Sequence, residues 1–331
     1  MSNEIKFVGL HAHSVFSVFD GLGFPNEHID YAVENGMDAL ALTDHGNMNG
    51  LSYQVLHSKK LQKEGKNFKP IYGIEGYFID SITKWREEKA EIDKNKKGRK
   101  KEENSAVVIE DEIATKRQEK NILNRRAHLV LLVQNQTGLN NLFTLVSKSF
   151  DPDNFYRYPR IDYDMLREHN EGIIVSSACM GGPLSKDYWN NRENGDETVQ
   201  RAMVETIKNF TSIFGDRFYG ELQWNSIPEQ HEINKHIIKA AKKTGIKLIS
   251  TADSHYPRPE LFKDRELYKQ LGWLGKSKPA YAEPILPESR KELKYELYPK
   301  NGNQMWESYK TYSEQCGVDY DDDFIRETIE C

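Results

Sequence analysis

Two histidines separated by one residue, His11 and His13, are the feature of this 331-residue sequence with the clearest chemical meaning. They follow the apolar run Phe7-Val8-Gly9-Leu10, and the side chains of an extended strand alternate between its two faces. Both imidazoles are therefore expected on the same side of the strand, a geometry that suits a shared metal ion. Taken alone, such a pair is more often two partly exposed histidines near a turn, so the interpretation depends on the rest of the chain.

Further residues of metal-ligand type recur beside other apolar runs. Each lies at the end of a strand-like segment or in a short motif close to one, where several could meet at one edge of a sheet. They are Asp20, His45, Glu75, His128, Cys179, Asp253 and His255. Imidazole and thiolate favour zinc, whereas the imidazoles and carboxylates also accept manganese or iron. The sequence therefore predicts a metal centre without fixing the metal.

Seven strand-like runs alternate with longer stretches, most of which can hold a helix, for example at 29–34 and 199–213. The runs are 5–10, 38–43, 70–78, 128–134, 172–177, 217–223 and 246–252. Seven β-α repeats fit a parallel barrel, which builds its active site at the carboxyl ends of its strands. Nearly all the candidate ligands lie at those ends, and His128, at the start of its own run, is the exception. We therefore expect an α/β barrel with one ligand-bearing rim.

Composition and charge narrow the class of protein. With 37% hydrophobic and 29% charged residues, the chain can bury one large core, or a core and a small second domain. A formal net charge of −5 argues against a broad basic face that coats nucleic acid, although metal ions could still hold such a substrate in a pocket. Three cysteines without close pairing, and the absence of an N-terminal signal or membrane-spanning run, predict a reducing, cytoplasmic location without a membrane partner.

Residues 84–126 interrupt the repeating pattern. They carry mixed charge, including the basic run at 94–101 and the acidic run at 110–112, and they contain few apolar residues. This composition predicts a solvated, flexible loop insertion, with nucleic-acid contact through the basic run as the alternative.

Taken in order, these motifs resemble the PHP (polymerase and histidinol phosphatase) domain, in the version found at the N-terminus of the bacterial C-family polymerases, the DNA polymerase III alpha subunits. The resemblance spans roughly residues 5–260 and rests on His11-x-His13, Asp20-Gly21, Thr43-Asp44-His45-Gly46-Asn47, Gly73-x-Glu75, His128-Leu129, Cys179 and Asp253-x-His255-Tyr256. It implies a distorted (β/α)7 barrel with a charged insertion and a short C-terminal extension. It also implies a metal-dependent phosphoesterase domain over 1–260, with 261–331 as the start of a connector to a polymerase palm that is absent from these residues.

The resemblance implies a role for each candidate ligand. One ion would be held by His11, His13, Glu75 and Asp253, a second by Glu75, His128 and Cys179, and a third by Asp20, His45 and His255. Two to three divalent ions, zinc, manganese or iron, would activate a water for phosphoester hydrolysis, and His13, Glu75 and Asp253 would act through that water. Glu221, at the end of a strand-like run, is a candidate to support the ligands from behind.

The implied function is that of a 3′–5′ exonuclease in DNA replication, which acts on DNA 3′ ends beside a polymerase palm. That palm would be encoded separately, or separated by an intein beginning at Cys331. Other replisome subunits would be further partners, and this chain alone is not expected to polymerise nucleotides. Two alternatives stay open: a catalytically silent structural module of the polymerase, and a stand-alone PHP phosphatase.

Overall fold

The computed structural model describes residues 5–102, 109–272 and 288–331, and the side chains of these residues except at 97–102 and 109–114. The strands are β1 (Ala39–Leu42), β2 (Lys69–Phe78), β3 (Ala127–Val133), β4 (Phe155–Tyr156), β5 (Tyr158–Ile161), β6 (Ile173–Ser176), β7 (Phe218–Gln223) and β8 (Lys247–Thr251). The α-helices are α1 (Pro25–Glu34), α2 (Leu51–Lys63), α3 (Ile82–Glu102), α4 (Ile109–Leu123), α5 (Gln136–Ser149), α6 (Tyr163–Glu168), α7 (Pro183–Asn191), α8 (Asp196–Phe214), α9 (Pro228–Thr244), α10 (Phe262–Leu271), α11 (Gly302–Gln315) and α12 (Asp322–Glu330). Within these described ranges, no helix has both the length and the apolar content that crossing a membrane requires.

The sheet curls so far that the extended residues 9–13 connect β1 to the end of β8. Its strand order is β4-β5-β2-β3-β6-β7-β8, and β1 pairs with β2. On one side of the extended residues Gly9 bridges Leu40 of β1, and on the other side Ala12 bridges Ser254 just beyond β8. The ring of β1, β2, β3, β6, β7, β8 and residues 9–13 is the distorted α/β barrel that the sequence predicts. The run at 5–10 differs from its prediction, because it makes one isolated bridge, at Gly9, instead of a strand ladder.

The expectation of an all-parallel barrel is wrong at β3. This strand runs antiparallel to both of its neighbours, β2 and β6, whereas β1 with β2, β6 with β7, and β7 with β8 are parallel. A reversed strand presents its first residues at the edge where the other strands present their last. The reversal therefore brings His128, at the start of β3, to the rim that carries the other candidate ligands.

The helices predicted around 29–34 and 199–213 are confirmed as α1 and α8. Along α8, Met203, Ile207 and Phe210 are fully buried at a spacing of three to four residues, so one apolar stripe of the helix faces the sheet. Phe210 stacks on Phe218 of β7 with ring centres 4.8 Å apart. This helix thereby anchors the sheet beneath the rim.

The C-terminal residues predicted to begin a connector pack onto the barrel. Helix α12 lies against β8, where the hydroxyl oxygens of Thr328 and Ser250 are 2.8 Å apart and hydrogen-bonded. Ile325 of α12 and Tyr309 of α11 are buried in the same apolar cluster as β2, β3 and β7. The apolar core is therefore continuous across the predicted border at residue 260, and a domain border there stays a prediction.

Residues 84–126 differ from the loop that their composition predicts, because most of those described form α3 and α4, which pack on each other. Trp85 is 1% exposed, and its indole N–H donates to the carbonyl of Ile122 at 3.2 Å. The buried guanidinium of Arg160 lies 4.3 Å from the Trp85 ring centre and donates to the carbonyl of Leu123 at 2.6 Å. The base of this helical pair is therefore part of the core. The expectation of flexibility at 103–108 lies outside the described residues.

Shortening the tip of this helical pair and damaging its base should have different consequences. Replacing 97–118 by a short Gly/Ser turn keeps Lys96 and Glu119, whose charged groups are 3.9 Å apart. Loop closure changes by only about 0.6 kcal/mol for each doubling of length, so we expect near-wild-type stability. Trp85→Ala should cost about 3–5 kcal/mol, because it leaves a cavity beside Arg160. Urea unfolding followed by circular dichroism measures both variants, and a neutral Trp85→Ala or an unfolded short variant would contradict this assignment.

Candidate metal centre

One rim of the barrel brings all nine candidate ligands together. They come from residues 9–13 (His11, His13), the turn that follows (Asp20), the loop after β1 (His45), β2 (Glu75), the start of β3 (His128), the loop after β6 (Cys179) and the loop after β8 (Asp253, His255). His11, His13 and Glu75 are each no more than 1% exposed. The rim therefore concentrates nitrogen, oxygen and sulfur donors in a place that water reaches poorly.

His11, His13, Asp253 and Glu75 form the innermost group. Nε2 of His11 lies 3.2 Å from Nε2 of His13 and 3.3 Å from Oδ1 of Asp253. Nε2 of His13 lies 3.4 Å from the same aspartate oxygen and 3.5 Å from Oε2 of Glu75. Ligand atoms about 2.0–2.1 Å from a tetrahedral zinc ion lie about 3.4 Å from one another. The spacing of these four side chains therefore fits one divalent ion.

Glu75 also faces a second group, made by His128 and Cys179. Its Oε1 lies 2.9 Å from Nδ1 of His128 and 3.8 Å from Sγ of Cys179. The sulfur and the imidazole nitrogen are 3.6 Å apart. The longer distances to sulfur agree with the longer bond, about 2.3 Å, between thiolate and zinc. Glu75 is placed to share its two oxygens between the two groups.

Asp20, His45 and His255 form a third group. Oδ2 of Asp20 lies 3.1 Å from Nε2 of His45 and 3.4 Å from Nε2 of His255. Nδ1 of His45 is also 2.7 Å from Oε2 of Glu75, so His45 borders the second group as well. The side chain of Asp20 is 34% exposed. This group is therefore open to solvent, unlike the innermost one.

Three ligand atoms of the cluster are buried without a hydrogen bond: Oε2 of Glu75, Oδ1 of Asp253 and Nδ1 of His45. The Glu75 and His45 atoms are close, but they are not aligned to bond with each other. Since buried polar atoms almost always have a partner, these orphans indicate that something else binds there. A mixed set of imidazole, carboxylate and thiol donors suits zinc and similar divalent ions. The residues therefore fit divalent metal ions, whose number and identity stay predictions.

A buried carboxylate, Glu221, orients His11 from behind. Its Oε1 lies 2.7 Å from Nδ1 of His11. The same carboxylate accepts hydrogen bonds from the hydroxyls of Ser176 at 2.6 Å and Thr251 at 2.5 Å. With Nδ1 held in this way, the imidazole turns Nε2 toward the cluster, an arrangement that fixes metal-binding histidines in many proteins. The structure thus places Glu221 where a supporting residue would lie.

His13 is oriented by a chain of two further polar side chains. Oγ of Ser17 lies 2.9 Å from Nδ1 of His13 and donates to Oδ1 of Asp44 at 2.7 Å. The Asp44 carboxylate also accepts hydrogen bonds from the main chain and hydroxyl of Ser14. Sequence reasoning assigned no role to these residues, although Asp44 stands within the Thr43-Asp44-His45 motif, and an acid beside a candidate ligand was the available signal.

Charges within the cluster decide which side chains hold protons. Burial, together with two neighbouring imidazoles, lowers the pKa of His13 to about 3, so this imidazole is neutral. Burial opposes protonation of His45, but the carboxylates of Glu75 and Asp20 prevail and raise its pKa to about 10. Desolvation and the nearby carboxylates raise the pKa of the Cys179 thiol. Divalent ions that enter the cluster would therefore displace protons from His45 and Cys179.

Three turns at the rim hold non-glycine residues in the left-handed region of backbone space. The φ angle is +47° at Asp253, +55° at Ala178 and +63° at Phe19, the last two directly preceding Cys179 and Asp20. Such a backbone costs about 1–3 kcal/mol and persists only where its surroundings impose it. Strained backbone therefore accompanies three of the candidate ligands.

Arg265 of α10 holds Asp20 from outside, and sequence reasoning missed it. Its Nε donates to the main-chain oxygen of Asp20 at 2.9 Å, and its Nη2 donates to Oδ1 at 2.5 Å. Because Oδ1 is occupied, Oδ2 is the oxygen left to face His45 and His255. The guanidinium is only 4% exposed. A single arginine in a helix has no sequence signature, so its role depends on the fold.

Comparison with known proteins gives matches over most of the chain. The sequence profile of the PHP domain matches residues 9–225. The DNA polymerase III subunit alpha of Aquifex aeolicus is 37% identical over 255 residues, which are 77% of this chain and 18% of that protein. The same subunit of Campylobacter jejuni is 28% identical over 312 residues, 92% of this chain and 22% of that protein. The chain thus spans about a fifth of the length of these relatives.

One similar solved structure is the histidinol phosphate phosphatase of Lactococcus lactis, determined with zinc, L-histidinol and phosphate. The match has a TM-score of 0.34 and 16% sequence identity, and it covers 81% of this chain and 94% of that chain.

Arg265→Gln should weaken metal binding at the third group of ligands and leave metal binding at the other two groups unchanged. Without the guanidinium, the Asp20 carboxylate can turn away from His45 and His255, and lost support of this kind typically costs about 10–100-fold in metal affinity. Equilibrium dialysis against Mn²⁺ with elemental analysis counts the bound ions. Arg258→Gln is the matched control, because Arg258 pairs with Glu34 at 2.7 Å outside the cluster. Equal or tighter binding by Arg265→Gln would contradict a positioning role.

Metal binding to the second group should become tighter as pH rises. The raised pKa keeps the Cys179 thiol protonated at neutral pH, whereas the metal ligand is the thiolate, so binding releases this proton. Below the thiol pKa, the affinity should gain about tenfold per pH unit from this group alone. Zinc titration calorimetry at several pH values should show one proton fewer released by Cys179→Ala and no change for Cys316→Ala. Identical pH dependence in all three proteins would exclude Cys179 as a ligand.

Proposed function

This chain belongs to the PHP domain family, and we propose that it is a metal-dependent phosphoesterase that removes nucleotides from DNA 3′ ends during replication. The observation that carries the proposal is the cluster of nine candidate ligand side chains on one rim. Three of their ligand atoms are buried and lack a hydrogen bond. A barrel that needed these residues only for packing would have no use for buried carboxylate oxygens that lack a hydrogen bond.

The proposed ligands fall into the three groups seen in the geometry. His11, His13, Asp253 and Glu75 would hold the innermost ion, Glu75 would share the second with His128 and Cys179, and Asp20, His45 and His255 would hold the third. When bound, such divalent ions supply Lewis-acid polarisation of a phosphate ester and lower the pKa of an attacking water. This assignment agrees with the distances between the donor atoms.

The chain's own side chains set the position and charge of this site. Glu221 and Ser17 fix the imidazoles of His11 and His13, so the donor nitrogens keep their direction. The carboxylates of Glu75 and Asp253 supply negative charge in a poorly solvated place, where electrostatic attraction to cations is strong. The open side at Asp20 is where a phosphate ester would reach the cluster. Water is thus restricted on the inner side and substrate enters from the outer side.

The replicative context of the proposal comes from kinship with DNA polymerase III alpha subunits. We infer that the natural substrate is a DNA 3′ end and that the domain works beside a polymerase palm supplied by sequence outside these 331 residues. Other replication proteins would be further partners in the cytoplasm, whose reducing conditions keep the thiol of Cys179 available as a ligand.

Removing a ligand of the innermost ion should abolish hydrolysis. Asp253→Asn and His13→Ala are each expected to lower the release of nucleotides from a single-stranded 3′ end by more than about 100-fold, because each disturbs the ion that acts on the water. Cys179→His should retain more activity than Cys179→Ala, since imidazole can replace thiolate as a ligand. The measurement is a nuclease assay with Mn²⁺ or Zn²⁺ on a 3′-labelled oligonucleotide.

His57→Ala is the control for this assay, because His57 pairs with Asp30 at 2.6 Å away from the cluster. It should keep wild-type activity, and thermal melts should show that all the variants fold. Equal, background-level cleavage by the wild type and every variant would refute the exonuclease and leave the two alternatives, a structural module and a stand-alone phosphatase.

A further inference from the structure

Arg126 lies beside the candidate metal centre and has no acidic partner among the residues that the structure describes. It directly precedes β3 and is two residues from His128. Its Nε is buried without a hydrogen-bond partner, and its Nη1 donates to the carbonyl of Asn124 at 3.1 Å. Among the described residues, no carboxylate lies within ion-pair distance of its guanidinium. By contrast, the adjacent Arg125 pairs with Glu88 at 3.0 Å.

Aromatic side chains hold the Arg126 guanidinium in place. Its central carbon lies 3.8 Å from the centre of the Tyr158 ring and 5.5 Å from the centre of the Tyr77 ring. Stacking on tyrosine favours a flat, fixed guanidinium whose N–H edge can face an acceptor that lies in the guanidinium plane. The side chain is therefore ordered before any ligand arrives, which reduces the entropy that binding would cost.

Tyr77 connects this arginine to the ligands. It follows Glu75 by two residues on β2, so both side chains lie on the same face, and the sheet register pairs it with His128. Its ring centre is 5.7 Å from that of His128 and 5.8 Å from that of His45. The guanidinium of Arg126 thus lies one aromatic ring beyond the metal ligands. At this distance the guanidinium is too far away to bind a substrate group that the ions hold. It is suitably placed to bind a neighbouring group of the same substrate.

A second basic side chain, Lys186 of α7, lies close enough to Arg126 to be affected by its charge. Lys186 of α7 also has no carboxylate within ion-pair distance among the described residues. Burial and the charge of Arg126 lower the pKa of Lys186 to about 8. An anion that approached this side of the rim would meet the guanidinium of Arg126 and the amine of Lys186, although the carboxylates of Asp80 and Asp187 also act on Lys186 from a longer distance.

We propose that Arg126, stacked on Tyr158, binds the phosphate next to the scissile one in a single-stranded DNA end. The inference rests on the proposed function, because it takes the scissile phosphate to lie at the metal cluster. A guanidinium can donate two parallel hydrogen bonds to phosphate oxygens, and such charged bonds are about twice as strong as neutral ones. A substrate with one phosphate cannot reach both places. Arg126 therefore distinguishes a polynucleotide from a simple phosphate ester.

Binding measurements test this phosphate site without relying on catalysis. The probe is a short oligothymidylate with a 5′ fluorescein and a hydrolysis-resistant phosphorothioate at the last 3′ linkage, followed by fluorescence anisotropy with the metal-loaded protein. Arg126→Gln should raise the Kd roughly tenfold, as expected for one charged hydrogen-bonding group. It should also reduce the slope of log K against log salt by about 0.7, the loss of one phosphate contact to a single strand. Arg126→Lys should fall between these values, and Arg125→Gln should match the wild type in both.

A substrate with one phosphate provides the second arm of the experiment. Hydrolysis of bis(p-nitrophenyl) phosphate should have the same kcat/KM in the wild type and in Arg126→Gln, and this equality also shows that the variant is folded with an intact centre. The proposal is overturned if Arg126→Gln binds the oligonucleotide as the wild type does, if it slows the one-phosphate substrate equally, or if the wild type does not bind the oligonucleotide. Weaker binding by Arg126→Gln in a protein that hydrolyses nothing would support the phosphate site and refute the exonuclease.

Discussion

The carboxylate of Glu75 is 1% exposed at the middle of the barrel rim, where an unpaired charge would cost several kcal/mol. Imidazoles of His11, His13, His45 and His128 lie 2.7–3.5 Å from its two oxygens. Burial alone would raise the pKa of Glu75, but the charges of His128 and His45 hold it well below its ordinary value. This anion must be balanced by protons on the imidazoles or by metal ions. Imidazoles from several separate segments of the chain therefore surround the carboxylate of Glu75.

Most of the candidate site could be predicted from the sequence, because its ligands combine residue type with position at the ends of apolar runs. The direction of β3 could not, since residues 129–133 are all apolar and this pattern fits a strand of either direction. The run at 5–10 was similarly ambiguous. Whether such a segment forms a strand depends on partners far along the chain, here Leu40, which Gly9 bridges. The local sequence pattern indicates which residues a segment can bury, whereas its pairing partners determine whether it forms a strand and in which direction.

Single residues that act through tertiary contacts were beyond the reach of sequence patterns. Arg265 and Arg126 resemble any other arginine of a charged chain. The fold alone determines that Arg265 holds an aspartate and that Arg126 has no acid within ion-pair distance in the described part of the chain. Trp85 shows the same limit for stability. Its hydrophobic contribution is lost when composition is averaged over a charged stretch. Its buried ring nevertheless packs on Arg160 and joins two helices to the core. Composition alone therefore did not predict the buried base of this segment.

Closure of the barrel through Ala12 and Ser254 imposes an order on events at the ribosome. His11 and His13 leave the exit tunnel early, but the groups that complete their surroundings, Asp253 among them, are made about 240 residues later, so at 5–20 residues per second they follow roughly 12–48 s behind. During that interval the nascent chain displays two histidines without the carboxylate that restricts their geometry. Selective uptake of the proposed ions would therefore await the last strand, and an ion captured earlier would be held by an incomplete set of ligands.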